Sequence, residues 1–243
     1  MTLPVFLGPV AGAVVGETVT VKGQEAHHAV VVRRIGVGER VVLTDGSGTR
    51  ATGTVTAASK SSLAVSVEDV VVADRPTPYV TVVQAIPKGD RADLTVEVLT
   101  EVGVDRIVPW AASRCVGVWR GERAAKSLAK WRATAREAGK QSRRTWLPDV
   151  SEQASTAEVA DLLEEADLAV VLHESAVAPL GSVSLNGVGS VVVVVGPEGG
   201  ITEDELAAFG HADLVQLGDT VMRTSTAGVA AVAALLSRTS RWG

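Results

Sequence analysis

Cysteine and aromatic residues are scarce in this chain of 243 residues. It contains one cysteine, Cys115, and aromatic residues make up only 3%. A single thiol excludes an intramolecular disulfide and a cysteine-rich zinc site. His173 and His211 are far apart in sequence and lack a ligand partner at metal spacing, so we predict no metal site. With so few aromatic rings, valine, alanine and other small or branched side chains must fill the core.

Long hydrophobic runs are also missing. The longest pure valine run, residues 191–195, is too short to cross a bilayer. The apolar residues 1–15 have no basic leader and are broken by Pro4, Gly8 and Pro9, which does not fit a signal peptide. We therefore expect a cytoplasmic protein without membrane association.

Basic residues are concentrated in one stretch although the net charge is −5. Between Arg114 and Arg144 there are ten basic residues and two acidic ones. A negative total therefore does not exclude a nucleic-acid partner, because one strongly basic surface can bind phosphates. In the first 73 residues the charges balance, so recognition there must depend more on shape than on charge.

The positions of the turn residues and prolines along the chain indicate two domains. Residues 1–73 have the pattern of short strands separated by turns at Asp45-Gly46 and Gly48, typical of a small β-barrel. The two prolines of Asp74-Arg75-Pro76-Thr77-Pro78 indicate a linker. Strands then alternate with helices, the pattern of an α/β sheet. We predict a barrel at 1–73 and an α/β domain at 74–243.

The predicted elements follow from this periodicity. Strands are predicted at 17–21, 39–43, 51–56 and 63–70 in the barrel, and at 79–85, 106–110, 168–172, 191–195 and 214–217 in the sheet. Helices are predicted at 90–102, capped by Asp90 and ended by Gly103, at 122–141 and at 225–237. The helix at 122–141 turns Leu128, Trp131, Ala135 and Ala138 inward and its basic side chains outward. The last helix is apolar nearly all round, so we expect it in a core or, as we favour, at a dimer interface.

Two loops carry the features of a ligand site. The first, Gly196-Pro197-Glu198-Gly199-Gly200, follows a buried strand and precedes a capping box of Thr202 and Glu205. Glycines there let the backbone approach a flat ligand, although a tight turn without a ligand has the same pattern. The second loop runs from Leu217 to Ala227. Parallel strands end at one edge of a sheet, so both loops and the segment at Leu172 and His173 can form one pocket.

These segments resemble the C-terminal signature of the 16S rRNA (uracil-N3)-methyltransferases of the SPOUT superfamily. The similar segments are Gly196-Pro197-Glu198-Gly199-Gly200, Leu217-Gly218, Met222-Arg223-Thr224 and Thr226-Ala227. Further upstream they are Thr100-Glu101-Val102-Gly103-Val104, Ser113-Arg114, Glu137-Ala138, Gln141-Ser142, Arg144, and His27-His28 through Val32-Arg33-Arg34 to Gly38-Glu39. The resemblance thus spans nearly the whole chain.

The resemblance implies a PUA-like β-barrel for RNA recognition, an α/β domain with a deep trefoil knot, and a homodimer through that domain. It implies that S-adenosylmethionine is the methyl donor and that 16S rRNA or the small ribosomal subunit is the partner, with N3 of a uridine, uridine 1498 in the family, as the target. The cofactor-binding residues that it implies are Leu172, His173, Gly196, Pro197, Gly199, Gly200, Leu217, Gly218, Val221, Met222 and Thr226.

The chemistry of uracil suggests roles for two further side chains. Uracil N3 carries a proton at neutral pH, so methylation needs a base or a cation that stabilises the resulting anion. Arg223 is our candidate for the cation, and Glu198 is a candidate base or orienting group. Arg33, Arg114, Arg136 and Arg144 are predicted to contact RNA.

Some positions depart from the family, and two other interpretations stay open. Val98, Lys140, Val102 and Met222 stand where the family often has lysine, glutamate, leucine and leucine, respectively. The protein could instead be a SPOUT methyltransferase for another rRNA or tRNA base, or a non-catalytic RNA-binding or ribosome-assembly factor.

Overall fold

The computed structural model describes residues 2–87, 89, 91–117 and 119–243. The chain divides into two compact units, one made of Met1–Arg75 with Gly139–Leu147 and the other of Pro76–Ala138 with Pro148–Gly243. The predicted domain boundary at residues 73 and 74 stays a prediction, and the predicted helix cap Asp90 lies outside the described residues.

In the described part of the first unit, five strands form one mixed sheet. They are β1 (Val5–Leu7), β2 (Thr18–Lys22), β3 (Arg40–Thr44), β4 (Thr49–Ser59) and β5 (Ser62–Val72), in the order β1-β3-β4-β5-β2. Only the pairing of β1 with β3 is parallel. A short helix, α1 (Gly23–His27), and a π-helical turn (His28–Val32) connect β2 to β3. The predicted PUA-like sheet is confirmed, whereas β1, α1 and the π-helical turn were not predicted.

One apolar core fills this unit. Phe6, Leu43 and Leu63 are among its largest buried side chains. The strands alternate buried and exposed residues, because one face of the sheet covers the core. At Gly53, where the pairing of β4 with β5 shifts register, a Cβ would overlap the carbonyl oxygen of Ser66. The long hairpin therefore requires glycine at this position.

The segment Gly139–Leu147 is held to the rest of the first unit by polar contacts. The ammonium of Lys140 lies 3.0 and 3.1 Å from the two carboxylate oxygens of Glu25, and its side chain is only 7% exposed. The indole N–H of Trp146 donates to the carbonyl of Ala73 at 2.9 Å. Lys140 was expected on the solvated side of its helix, and that expectation is wrong because the carboxylate of Glu25 draws it inside.

The second unit contains, within its described residues, a seven-stranded parallel sheet. Its strands are β6 (Tyr79–Ala85), β7 (Arg106–Trp110), β8 (Asp149–Val150), β9 (Leu168–Leu172), β10 (Ala178–Pro179), β11 (Ser190–Val195) and β12 (Asp213–Gln216). Their order is β10-β12-β9-β11-β6-β7-β8, with every pairing parallel. The five strands predicted for this sheet are confirmed, and the two-residue strands β8 and β10 are additional.

Helices cover both faces of this sheet. They are α2 (Arg91–Val102), α3 (Glu122–Gln141), α4 (Thr156–Glu164), α5 (Glu203–Ala208) and α6 (Thr224–Leu236), with a 3-10 turn at Leu180–Ser182. Strand residues pointing to opposite faces belong to different cores: Val82 lies in the core that contains α2, α3 and α6, and Val83 lies in the core that contains α4 and α5. The fold is therefore α/β, as predicted.

The inward sides of two predicted helices are buried. Leu128, Trp131, Ala135 and Ala138 of α3 are all less than 10% exposed, as the sequence predicted. In α6, Ala231, Val232, Leu235 and Leu236 are buried in the core of the unit itself. The core alternative thus accounts for this face of α6. The dimer interface and the trefoil knot stay predictions.

No helix within 2–87, 89, 91–117 and 119–243 is long and apolar enough to cross a membrane. The same residues contain no group of three or more His, Cys, Asp and Glu side chains that could hold a metal ion.

Candidate functional site

Three loops leave the same edge of the second sheet from neighbouring strands. Leu172 at the end of β9 is paired with Val195 of β11 on one side and with Val215 of β12 on the other. The backbone N–H of His173 continues the pairing by donating to the carbonyl of Val215 at 2.9 Å. Adjacent strands lie about 5 Å apart. The predicted convergence of these loops at one carboxyl edge is confirmed.

The glycines of the first loop, residues 196–200, are required by contacts within the chain. A Cβ at Gly196 would lie 2.7 Å from Cγ1 of Ile201, and one at Gly199 would lie 2.9 Å from Cβ of Arg114. Gly200 has φ +76°, in the left-handed region that favours glycine. Pro197 is buried and Glu198 is exposed. Packing within the chain therefore requires these glycines, whether or not they also approach a ligand.

The loop after β12 is open. Gly218 has φ +150°, and a Cβ placed there would meet nothing within 4 Å. Val221 is 82% exposed and Met222 is 40% exposed. Uncovered aliphatic side chains beside accessible backbone can bind a flat ligand with an apolar face and hydrogen-bonding edges. Among the predicted cofactor residues, Leu172, His173, Leu217 and Thr226 are half-buried.

Arg223 lies at the start of α6 with its charge exposed. Its carbonyl accepts hydrogen bonds from the N–H groups of Thr226 and Ala227, both at 2.9 Å, so its backbone caps the first turn of the helix. Its guanidinium forms no hydrogen bond or ion pair with any residue that the structure describes. The positive end of the helix dipole adds to this charge. The position can therefore stabilise a negative charge that develops beside the second loop.

Gln84 supports the start of α6 from beneath and was not predicted from the sequence. It is fully buried at the end of β6, and its amide nitrogen donates to the carbonyls of Ala85 at 3.0 Å and Thr224 at 3.4 Å. Its amide oxygen has no hydrogen-bond partner among the described residues. A glutamine among the valines of a buried strand was the available signal, because buried polar side chains usually have a specific partner.

Glu205 joins two segments that are remote in sequence. Its Oε2 accepts from the N–H of Thr202 at 2.9 Å and from the Thr202 hydroxyl at 3.0 Å, which confirms the predicted capping box. Its Oε1 accepts from the N–H of Ser113 at 2.7 Å. Burial raises the pKa of Glu205, but these hydrogen bonds outweigh it and hold the pKa below the ordinary value. Glu205 is thus a buried, ionised carboxylate.

The four arginines predicted to contact RNA divide between the two units. Arg33 and Arg144 belong to the first, and Arg114 and Arg136 belong to the second. Arg33, Arg114 and Arg136 are exposed, whereas Arg144 is half-buried and donates from Nε to the carbonyl of Trp146 at 2.8 Å. The guanidinium of Arg114 donates to the carbonyl of Gly199 at 3.1 Å, which places this arginine beside the loop at residues 196–200. We call this segment the glycine loop.

Part of the basic stretch is neutralised by neighbouring acids. Lys130 forms an ion pair with Asp93 at 2.6 Å, and Arg132 forms one with Glu152 at 3.2 Å. In contrast, three basic residues at the beginning of α3 and just before it are exposed and have no acidic partner in the described chain. These residues are Arg120, Arg123 and Lys126. We call them the basic patch.

Comparison with known proteins identifies the family. An RNA methyltransferase domain profile matches residues 74–236, and an RNA methyltransferase PUA domain profile matches residues 21–68. Ribosomal RNA small subunit methyltransferase E of Mycobacterium bovis is 43% identical over 233 residues, which cover 93% of this chain and 89% of that protein. The chain belongs to the ribosomal RNA small subunit methyltransferase E family.

Other members of the methyltransferase E family match this chain over nearly its whole length. The Bacillus subtilis protein is 30% identical, with 91% of each chain covered. A crystal structure of the Neisseria gonorrhoeae protein, bound to S-adenosylmethionine, superposes with a TM-score of 0.87 at 30% identity and covers 97% of this chain and 98% of that one. The chain is therefore an RNA methyltransferase with a PUA domain.

Proposed function

We propose that this protein transfers a methyl group from S-adenosylmethionine to N3 of a uridine in 16S rRNA of the small ribosomal subunit, uridine 1498 in the numbering of the family's substrate. Membership of the methyltransferase E family supports the reaction class, the cofactor and the small-subunit substrate. The observation that carries the proposal is that Arg223, whose guanidinium has no partner among the described residues, belongs to one of three loops that leave the same sheet edge.

The three loops fit the methyl donor. When bound, S-adenosylmethionine supplies an electrophilic methyl group on a positively charged sulfur. Val221 and Met222 offer aliphatic surface for the adenine ring, and Gly218 leaves room beside its backbone. The residues that would hold the cofactor are the predicted ones: Leu172, His173, Gly196, Pro197, Gly199, Gly200, Leu217, Gly218, Val221, Met222 and Thr226.

The protein contributes alignment and charge. The uridine must leave its stack and present N3 to the methyl group, in line with the departing sulfur. Loss of the N3 proton places negative charge on O2 and O4 of the base, and Arg223 stabilises that charge. Glu198 accepts the proton or orients the base. Because Gln84 holds the carbonyl of Thr224, the next residue, it limits the movement of Arg223.

The RNA contacts extend over both units. The basic patch binds phosphates beside the target nucleotide, and Arg114 and Arg136 add contacts in the same unit. Arg33 and Arg144 of the first unit bind RNA as part of the PUA-like domain. We also propose a homodimer through the second unit. Exposed aliphatic side chains support it, such as Val177, which is 91% exposed and precedes β10, the outermost strand of the sheet. We propose a cytoplasmic location, which a ribosomal substrate supports.

Mass mapping of small-subunit RNA tests the target base. RNA from a deletion strain should lack one methyl group on a uridine, and the wild-type gene should restore it at N3. A gene encoding Arg223→Ala should restore little of it. A missing methyl group on another base would refute the uracil assignment. RNA with unchanged methylation, together with no binding of S-adenosylmethionine in calorimetry, would favour an assembly factor instead.

Reversing the charges of the basic patch should weaken RNA binding and reduce its dependence on salt. We expect Arg120→Glu, Arg123→Glu and Lys126→Glu together to reduce the magnitude of the negative slope of log affinity against log salt by about two, since each phosphate contact contributes about 0.7. Filter binding to small-subunit RNA at several salt concentrations measures the slope.

The control for the basic patch makes the same change in net charge elsewhere. Lys22, Arg50 and Lys60 are exposed residues of the first unit, and their triple change to glutamate should keep most of the salt slope. Equal losses in both variants would mean that only net charge matters and that RNA does not dock on the patch.

A further inference from the structure

The Ser113-Arg114 segment is held by two hydrogen bonds, one to the glycine loop and one to α5, the helix that follows this loop. The N–H of Ser113 donates to Oε1 of Glu205, and the guanidinium of Arg114 donates to the carbonyl of Gly199 at 3.1 Å. The backbones also approach closely, because a Cβ on Gly199 would lie 3.2 Å from the carbonyl oxygen of Arg114. Arg114 therefore cannot shift without disturbing one of these contacts.

The two carboxylate oxygens of Glu205 have separate tasks. Oε2 receives both bonds of the capping box from Thr202, whereas Oε1 receives the N–H of Ser113. A capping box alone is commonly exposed, as Glu158 is in α4, but Glu205 is only 3% exposed. The burial of Glu205 and its contact across 92 residues are thus features that helix capping does not require.

We propose that Glu205 is a positioning residue, which fixes Arg114 against the glycine loop so that a phosphate of the RNA is bound at a set distance from the cofactor. This inference rests on the proposed contact between Arg114 and RNA. Arginine has five N–H donors, and the bond to Gly199 uses one of them. The remaining donors can bind a phosphate in a two-point geometry.

The consequence for the reaction is geometric. Methyl transfer requires the target atom, the methyl group and the sulfur to be nearly in line, and small displacements slow such reactions strongly. Through its bond to Ser113 and its place in α5, Glu205 keeps the RNA contact of Arg114 at a fixed position relative to the glycine loop, which is part of the predicted cofactor site. Loss of Glu205 should therefore weaken RNA binding through Arg114, although Glu205 contacts neither ligand.

Glu205→Gln tests the inference in the full-length protein. A glutamine amide turns an NH₂ group towards either Thr202 or Ser113, so one N–H loses its acceptor. We expect the KM for small-subunit RNA to rise about 10-fold, since losing one well-placed contact has effects of this order. Transfer of tritium from labelled S-adenosylmethionine measures KM and kcat. Thermal melting reports whether the variant folds.

Two further variants separate positioning from stability. Thr202→Ala removes a donor from the same carboxylate but leaves the bond to Ser113, so it should lower the melting temperature with little change in KM. Ser113 occupies the second position of a turn closed by the N–H of Cys115 and the carbonyl of Ala112 at 3.0 Å, where proline is favoured. Ser113→Pro removes the donor and keeps the capping box. It should raise KM as Glu205→Gln does, and it serves if Glu205→Gln does not fold.

A double-mutant cycle decides whether Glu205 acts through Arg114. Arg114→Ala alone should also raise KM about 10-fold, and adding Glu205→Gln, or Ser113→Pro in its place, should then change it less than 2-fold. Effects that multiply to about 100-fold would overturn the proposal. A folded Glu205→Gln or Ser113→Pro variant with the wild-type KM would also overturn the proposal. So would a Thr202→Ala variant whose KM rises as much as that of Glu205→Gln.

The design distinguishes this inference from the proposed function. The assay counts methyl groups on small-subunit RNA whichever atom receives them, so a target other than uridine N3 leaves the test intact. The same cycle is measured in the dissociation constant for RNA by filter binding, which needs no turnover. Wild-type protein that binds RNA without methylating it would refute the function while the cycle still decides the inference. Wild-type protein that does not bind RNA would overturn both.

Discussion

Replacing Arg223 with alanine should lower kcat by about 10²-fold to 10³-fold, the loss typical when a donor to a developing negative charge is removed. The guanidinium has no partner among the described residues, and its carbonyl, not its side chain, caps α6. The fold should therefore tolerate the change, with a melting temperature close to that of the wild type. Single-turnover methylation of small-subunit RNA measures the loss without interference from product release.

Two comparisons make the result for Arg223 specific. Arg223→Lys keeps the charge but not the planar geometry, so it should lie between the wild type and alanine. Arg120→Ala removes an exposed arginine of the basic patch and should raise the KM for RNA more than it lowers kcat. If Arg223→Ala kept wild-type turnover, Arg223 would have no part in catalysis. If only the affinity for S-adenosylmethionine fell, its role would be cofactor binding.

The sheet of the second unit was predictable because its interior strands are buried on both faces. Such strands appear as continuous runs of Val, Leu and Ile. For β7 and β9 the predicted bounds coincide with the observed ones, Arg106–Trp110 and Leu168–Leu172. The amphipathic pattern of α3 likewise gave its bounds, Glu122–Gln141. In all three cases the periodicity and the tertiary environment favour the same element.

Strands of two or three residues could not be found in this way. Strand β1 has three residues, and β8 and β10 have two each, too few to show alternation. The predicted exposure of Lys140 was wrong for a different reason. Its position on α3 favoured solvent, but its ion pair joins it to Glu25, 115 residues earlier in the chain. A burial caused by such a distant partner leaves no periodic signal.

The candidate site was also predictable only in part. Glycine and proline marked the loop at 196–200, and the rule that parallel strands end at one edge brought it near the loop after β12. The contact of Glu205 with Ser113 had no local signal, because a capping box explains a glutamate at that position completely. Its role depends on the fold that brings the end of β7 to the end of β11.

Arg241, in the segment that follows α6, forms a network of hydrogen bonds within the second unit. Nη1 of Arg241 lies 2.6 Å from Oδ2 of Asp105 and donates to the carbonyl of Pro78 at 2.9 Å, and Nη2 donates to the carbonyl of Gly103 at 2.6 Å. The side chains of Arg241 and Asp105 are only 11% and 4% exposed. Asp105 also accepts from the N–H of Val80 at the beginning of β6. Arg241 thereby secures the starts of the two strands β6 and β7.

Arg241→Ala should therefore lower the free energy of unfolding by about 3 to 5 kcal/mol, because it leaves the carboxylate of Asp105 buried without its cation. Arg238→Ala is the matched control: Arg238 is exposed and donates to one carbonyl, that of Val183, so its loss should cost about 1 kcal/mol. Urea unfolding followed by circular dichroism measures both.

Adding Asp105→Asn to Arg241→Ala should recover part of the loss, since asparagine removes the buried charge and can still accept from Val80. Equal losses for Arg238→Ala and Arg241→Ala would show that the terminal segment contributes only general packing, and no recovery in the double variant would show that the charge of Asp105 is not the cause.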